Sequence, residues 1–215
     1  MTMSAWTRTA AAVSVAFALL VLGAALRPLV FPQKSSATEV LTAVEIGFAQ
    51  DMTAHHQQAL LMVQRLDHAV DPAVARVAEQ LDRTQRVEIG TMLGWLRLAD
   101  AAPTSSHPMA WMPTEHRHPA TAPAASTVRP GAMPGMANTA ELDTLAAARG
   151  REAEILFLQL MFRHHQGGIA MAEAADGLLR SGPVKELARA MIHGQGQEAG
   201  VMGMLLTQRG AAPLP

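Results

Sequence analysis

Apolar residues recur every three or four positions along two stretches in the first half of the chain, a spacing typical of amphipathic α-helices. The first stretch runs from Thr38 to about Asp67. The second follows Asp71-Pro72, an N-cap residue with proline at the first helical position, and continues to about Ala99. Because only a short turn separates the two stretches, residues 38–99 predict a hairpin of two antiparallel helices.

The same arrangement returns in the second half, where residues 139–210 predict another helical hairpin. A short helix from about residue 139 to Ala148 precedes a long helix from Arg151 to about Leu179. After Ser181-Gly182-Pro183 the last helix covers about 184–208. The chain therefore predicts two hairpins in succession.

The composition supports helices over strands. Aromatic residues make up 4% of the chain, Tyr is absent and Ala and Leu are abundant. Residues 100–138 are rich in Pro, Met and His without periodicity, and we interpret them as a flexible linker. The predicted fold is all-α, a ferritin-like four-helix bundle made of two duplicated helical hairpins joined by a long crossover.

An uncharged apolar stretch of 18 residues, from Thr9 to Leu26, lies near the N-terminus. It is long enough for one membrane span, so residues 1–37 are predicted to be a membrane anchor or signal segment. We expect an uncleaved transmembrane helix, with a cleaved signal peptide as the alternative. Both interpretations predict an extracytoplasmic C-terminal domain, tethered to the cell membrane or secreted.

The two hairpins share a signature built around a double histidine, which indicates an internal duplication. An offset of 109 residues relates Met52, His55, His56 and Met62 to Met161, His164, His165 and Met171. An offset of 110 residues relates Gln85, Glu88 and Met92 to Gln195, Glu198 and Met202. Apart from the apolar residues common to all helices, the shared side chains are ones that can bind a metal.

At about 100° of rotation per residue, the Met and His positions of each signature fall on one helix face. Ala59 and Gly168 on the same faces are small and would leave room for an ion. We therefore predict a metal site in the bundle core with the ligands His55, His56, His164, His165, Met52, Met161, Met62 and Met171. The supporting residues are Gln85, Glu88, Met92, Gln195, Glu198, Met202, Glu45, Glu154 and Asp51.

The composition also decides which metal and partners are plausible. The chain has no Cys, which excludes thiolate zinc sites and iron–sulfur clusters. Imidazole combined with thioether suits copper, as Cu(I) or Cu(II). The net charge of −1 gives no basic surface for nucleic acid, and no catalytic motif is visible, so we predict neither a nucleic-acid-binding protein nor an enzyme.

Two other functions remain open at this point. Four glutamates near the histidines resemble the ligand inventory of di-iron or di-manganese carboxylate proteins, although the Glu-x-x-His pair of those sites is absent. Alternatively, the polar stripes set the helix register of a metal-free interaction module. Copper sequestration or transfer by an extracytoplasmic protein is the first hypothesis.

Three segments of the chain read Gly47-Phe-Ala-Gln-Asp-Met-Thr-Ala-His-His-Gln-Gln-Ala, Met161-Phe-Arg-His-His-Gln-Gly-Gly-Ile-Ala-Met-Ala and Gln85-Arg-Val-Glu-Ile-Gly-Thr-Met-Leu-Gly-Trp-Leu. They resemble the DUF305 family of exported, ferritin-like four-helix proteins. The resemblance covers about Glu39 to Arg209 without the linker. It implies copper binding, since members of that family include copper-binding proteins linked to copper tolerance. It points to the same His and Met ligands. Leu160 stands where the first repeat has Asp51, so the two halves are not expected to be equivalent.

The linker contains further soft donors, namely His107, Met109, Met112, His116, His118, Met133 and Met136. Such a tract is suited to capturing copper and passing it to the bundle. A solvated tether of biased composition explains it equally well.

Overall fold

The structure is a computed structural model that describes residues 5–30, 39–112 and 132–214. These residues contain no strand, which confirms the predicted all-α class. The helices are α1 (Ala5–Val30), α2 (Ala43–Arg65), α3 (Pro72–Leu98), α4 (Thr139–Ala147), α5 (Gly150–Leu178) and α6 (Pro183–Gln208). The chain separates into two compact units, Met1–Glu39 and Val40–Pro215.

The first unit contains α1, whose described apolar side chains are exposed. Phe17 and Leu20, for example, are 69% and 72% exposed. Within the part of the chain that the structure describes, no helix combines the length and the apolar character that a membrane crossing requires. The predicted transmembrane helix is therefore not confirmed.

Local capping determines where the helices of the second unit begin. Helix α2 begins at Ala43 and not near residue 38, because Thr42 forms a capping box with Glu45. The Thr42 backbone N–H donates to the Glu45 carboxylate at 2.7 Å, and the Glu45 N–H donates to Oγ1 of Thr42 at 3.3 Å. Helix α3 begins as predicted, with the Asp71 carboxylate accepting the Ala73 N–H at 2.7 Å.

The four long helices of the second unit form two hairpins, α2 with α3 and α5 with α6. The hairpins pack together through α2 and α5. Two buried clusters make up the core. The leucine-rich cluster includes the α2–α3 turn and, among others, Leu66, Leu81, Leu142, Leu145, Phe157, Leu158, Leu160, Leu205 and Leu206. The methionine-rich cluster includes the α5–α6 turn and contains Met52, Met92, Met109, Met112, Met171 and Met191.

The segment predicted to be a flexible linker is packed against the bundle at both of its described ends. Met109 and Met112 are buried at one end and Ala137 at the other. The Gln50 side-chain amide donates to the Ala102 carbonyl at 2.7 Å. The ends are ordered because polar side chains of α2 bond to their backbone. His116 and His118 lie outside the described residues.

Candidate metal centre

A layer of six polar side chains lies between the two apolar clusters. On every long helix of the bundle the polar positions separate the residues of one cluster from those of the other. The layer consists of His55 and His56 from α2, Gln85 from α3, His164 and His165 from α5, and Gln195 from α6. The four imidazoles are at most 1% exposed. A polar layer buried this deeply requires partners for each polar atom.

The two hairpins meet at His55 and His164. The centroids of these two rings lie 3.7 Å apart with 31° between the ring planes. His56 and His165 flank this pair, with ring centroids 6.4 Å and 6.3 Å from His55 and His164. The four histidines that the sequence grouped on two helix faces therefore form one continuous cluster.

Burial keeps the two central imidazoles neutral. Loss of hydration, together with the neighbouring His56, lowers the pKa of His55 to about 3. The pKa of His164 is also well below its usual value, first because of burial and then because of His55 and the other imidazoles. Neutral imidazole is the protonation state that binds metal ions.

Two of the four histidines, His55 and His164, have their tautomer set by a hydrogen bond from Nε2 to a backbone carbonyl. A carbonyl oxygen can only accept, so the Nε2–H of His55 donates to the Pro134 carbonyl, and that of His164 donates to the His55 carbonyl, each at 3.0 Å. The Nε2 of His56 lies 2.6 Å from the Glu88 carboxylate. In each neutral ring the Nδ1 atom therefore retains its lone pair.

The Nδ1 atoms of His55, His56 and His164 have no partner among the residues that the structure describes. All three atoms are buried. An unsatisfied buried polar atom costs about 1–3 kcal/mol, and three in one cluster are unusual for a folded protein. A hydrogen bond on one ring nitrogen that leaves the other free is also the arrangement found around metal-bound histidines.

His165 breaks the symmetry of the duplication. Its Nδ1 lies 3.0 Å from the Met161 carbonyl and its Nε2 lies 2.9 Å from the Glu198 carboxylate. Both ring nitrogens of His165 are therefore hydrogen-bonded. The predicted ligand His165 thus has no unbonded ring nitrogen in this conformation, whereas its counterpart His56 has an unbonded Nδ1 among the described residues.

The two buried glutamines add further unsatisfied groups to the layer. Among the described residues, neither amide atom of Gln85 has a partner, and Nε2 of Gln195 has none. The Gln195 amide fills the space beside Gly168, so closely that a Cβ on this glycine would collide with it. The space that Gly168 was expected to leave for an ion is therefore occupied by the Gln195 side chain from α6.

The predicted methionine ligands are all buried but divide between the two clusters. Met52, Met92 and Met171 lie in the methionine-rich cluster. Met62, Met161 and Met202 lie in the leucine-rich cluster. Each is fully buried. The imidazole layer therefore has three duplicated thioethers on either side.

The predicted carboxylates have other partners. Glu45 caps α2, and Glu154 accepts the Arg209 Nε–H at 2.6 Å and the Asp71 N–H at 2.8 Å. Glu88 and Glu198 bond to histidines. Among residues 5–30, 39–112 and 132–214, no three His, Asp or Glu side chains are placed to hold one ion. The structure therefore does not bring four glutamates together as a carboxylate site.

Several contacts of the layer were not predicted from the sequence. The Pro134 carbonyl reaches His55 because a glycine, Gly167, lies against it, and a Cβ there would collide with the Pro134 carbonyl. The Gln58 side chain holds the same segment, accepting the Ala137 N–H at 2.7 Å and donating to the Ala137 carbonyl at 2.9 Å. The Gly167-Gly168 pair was the available signal, because adjacent glycines within a helix indicate close packing.

The fold and the site together define a class, namely helical proteins in which two duplicated hairpins enclose a buried imidazole layer. The profile of the family described as "Domain of unknown function (DUF305)" matches residues 45–206, and the chain belongs to this family. No curated protein matches the sequence.

Solved structures of the same family are similar along most of the chain. A DUF305 protein of Streptomyces coelicolor, described as a candidate secreted protein, is 37% identical with a TM-score of 0.68, and the match covers 80% of this chain and 97% of that one. A DUF305 fragment of Deinococcus radiodurans is 30% identical with a TM-score of 0.61, covering 78% and 97%. CopM in its Cu(I)-bound form is 22% identical with a TM-score of 0.55, covering 76% and 96%, and shares the fold.

Proposed function

We propose that this protein binds copper in the imidazole layer and acts outside the cytoplasm in copper sequestration or transfer. The Nδ1 atoms of His55, His56 and His164 are the nitrogen donors of this proposal. Because no three His, Asp or Glu groups of the described residues are placed around one point, thioethers of the flanking methionines would complete the coordination. The ion would be cargo, and we propose a binding protein without catalytic activity. The observation that carries the proposal is the set of three buried Nδ1 atoms that lack a partner within the described part of the chain.

The donor chemistry favours copper over iron or manganese. Neutral imidazole and thioether suit both copper oxidation states, whereas di-iron sites need several free carboxylates. Here Glu88 bonds to His56, Glu198 to His165 and Glu154 to Arg209. The ligand atoms that remain in the described part of the layer are therefore imidazole nitrogen, methionine sulfur and the amide oxygen of Gln85.

The comparisons supply two further points of support. CopM, which shares the fold, has been solved in Cu(I)-bound and Cu(II)-bound forms. The Streptomyces coelicolor relative is described as a candidate secreted protein, in keeping with an extracytoplasmic location. A membrane tether through the N-terminal segment remains part of the proposal.

One observation favours a second candidate, the metal-free helical module. In the described part of the chain, no three His, Asp or Glu groups are placed around one point. A metal would therefore need thioether ligands or a rotation of side chains. If the layer instead sets helix register, its polar atoms have no ion to bind.

The test is an anaerobic Cu(I) titration of the full-length protein against a chromophoric chelator. We compare the wild type, the double variant His55→Gln and His164→Gln, and the control His68→Gln at an exposed position. We expect the double variant to lose about 100-fold or more in Cu(I) affinity and the control to be unchanged. Circular dichroism checks that each variant is folded.

Equal affinity in the wild type and the double variant would refute the imidazole site. Absence of Cu(I) binding in the wild type would favour the metal-free module. Tight Fe(II) or Mn(II) binding in place of copper would favour the carboxylate alternative.

A further inference from the structure

Methionine is concentrated on one side of the imidazole layer. The duplication accounts for three methionines on each side. The methionine-rich cluster contains three more, Met109, Met112 and Met191, for six in all. The counterpart of Met191 in the first repeat is Leu81, and Met109 and Met112 come from outside the repeats. The excess of thioethers is therefore not a product of the duplication.

A buried charged anchor holds the two additional methionines of the linker in the cluster. The Asp51 carboxylate, 2% exposed, accepts the Met109 N–H at 2.6 Å and the Trp111 Nε1–H at 2.9 Å. The Trp111 ring packs edge-on against Phe48 with 5.5 Å between centroids. Burying a carboxylate is costly unless it is well bonded, so this anchor binds the segment to α2 specifically. The second repeat has Leu160 at the position of Asp51 and lacks such an anchor.

Met109 combines a strained backbone conformation with a buried side chain. Its φ of +64° lies in the left-handed region, which residues other than glycine rarely adopt. Such a conformation persists only where surrounding contacts impose it, and it is common at ligand sites. The side chain at this position, which is 2% exposed, is a thioether.

We propose that the methionine-rich cluster is a second metal site, which binds one soft monovalent cation, Cu(I) or Ag(I), through thioether sulfur. Met109 and Met112 supply ligands from the linker, and Met52, Met92, Met171 and Met191 are the ligands available from the bundle. Thioether selects Cu(I) over Cu(II), zinc and iron. The site requires none of the imidazole nitrogens, and Met109 and Met112 are the ligands that distinguish it from the proposed imidazole site.

A purely structural role for these methionines makes a different prediction. Methionine fills irregular space in cores, and leucine replaces it with little loss of stability. Leucine has no sulfur, however, and cannot bind the cation. Substitution by leucine therefore separates the two roles.

The experiment is a titration of the full-length protein with Ag(I), a redox-inert probe, with ¹³C-labelled methionine methyl groups observed by NMR. The samples are the wild type, the double variant Met109→Leu and Met112→Leu, and the control Met204→Leu, whose side chain is 61% exposed. In the wild type we expect the methyl signals of Met109 and Met112 to shift with one equivalent of Ag(I). The double variant should remain folded and bind Ag(I) at the cluster at least about tenfold more weakly, with the control unchanged.

Unchanged Met109 and Met112 signals at saturating Ag(I), or equal affinity in the double variant, would overturn the thioether site. The histidine ring signals report the imidazole layer in the same samples. Shifts of the rings without the methyls would leave the proposed function standing and remove this site. Shifts of the methyl signals without shifts of the ring signals would support the thioether site and remove the imidazole site.

Discussion

At His55, the acceptor of the Nε2 proton is a backbone carbonyl 79 residues further along the chain. This one contact decides which ring nitrogen keeps its lone pair. The same logic applies to His164, whose acceptor is the His55 carbonyl itself. Backbone carbonyls, and not other side chains, therefore leave Nδ1 of the two central imidazoles free to bind a metal. Outer contacts of this kind hold metal-binding histidines in orientation.

Replacement of Gly167 by alanine should weaken copper binding in the imidazole layer. The new Cβ collides with the Pro134 carbonyl, so the segment must move away and His55 loses its acceptor. We expect Cu(I) affinity to fall by about 10- to 100-fold, the usual effect of removing such a contact. The measurement is the chelator competition titration.

The control for this variant is Gly177→Ala on the same helix. A Cβ at Gly177 would meet no atom within 4 Å. Alanine there should leave affinity unchanged and raise helix stability by about 1 kcal/mol. If Gly167→Ala binds Cu(I) as tightly as the wild type, the Pro134 carbonyl does not position His55.

At the scale of elements, the described ends of the linker behave as part of the bundle. Residues 101–112 bind to α2 through Gln50 and Asp51, and residues 132–137 bind through Gln58 and His55. One helix thus holds both ends of the connection between the hairpins. The described ends of the link therefore contribute to the core, one end contacting the imidazole layer at His55 and the other placing Met109 and Met112 in the methionine-rich cluster.

Asp51→Leu should release the first of these ends. The substitution copies the second repeat and leaves the buried Met109 N–H and the Trp111 indole without an acceptor. Each N–H group left without an acceptor should cost about 1–3 kcal/mol in the free energy of unfolding. Amide hydrogen exchange at residues 101–112 should become faster while exchange in α5 is little changed.

The exposed ion pair between Arg65 and Asp143 provides the comparison for this variant. Its side chains are 31% and 68% exposed, so Asp143→Asn should cost no more than about 1 kcal/mol. Exchange at residues 101–112 that is equally slow in Asp51→Leu would show that apolar packing alone holds the segment.

For the whole molecule, the buried imidazoles make stability depend on pH. In the metal-free protein, His55 and His164 have depressed pKa values, while both titrate near 6.5 in the unfolded chain. Below that pH the unfolded chain binds protons that the native protein does not. The free energy of unfolding should therefore fall with decreasing pH, by up to about 1.4 kcal/mol per pH unit for each histidine.

Urea unfolding of the metal-free protein between about pH 7 and pH 5 measures this slope. The range lies above that in which carboxylates such as Glu141, whose pKa is lowered by its bond to Arg163, lose their stabilising effect. His55→Gln should flatten the dependence, and the exposed control His68→Gln should not. A stability that is constant across this range would show that the native protein admits protons to the layer.

Helical periodicity, capping residues and the repeated signature were enough to predict the all-α class, both hairpins, the short helix α4 and the family. These features are local, because each depends on residues within one or two turns of the chain. The histidines that matter for the proposed function could likewise be found, since their recurrence at a fixed offset is a property of the sequence. Helix ends were predicted to within a few residues, except at α2, where the capping box moved the start to Ala43.

Only the tertiary structure decided which of the candidate ligand atoms are free of hydrogen bonds. His56 and His165 occupy the same position in the two repeats, yet Nδ1 of His56 is unbonded among the described residues and His165 is bonded at both nitrogens. The tertiary structure also shows that Glu45 caps a helix and that Glu154 forms an ion pair. It places the linker methionines Met109 and Met112 in the core. Hydrogen-bond partners come from elements far apart in the chain, so they depend on how all the helices pack and not on any local pattern.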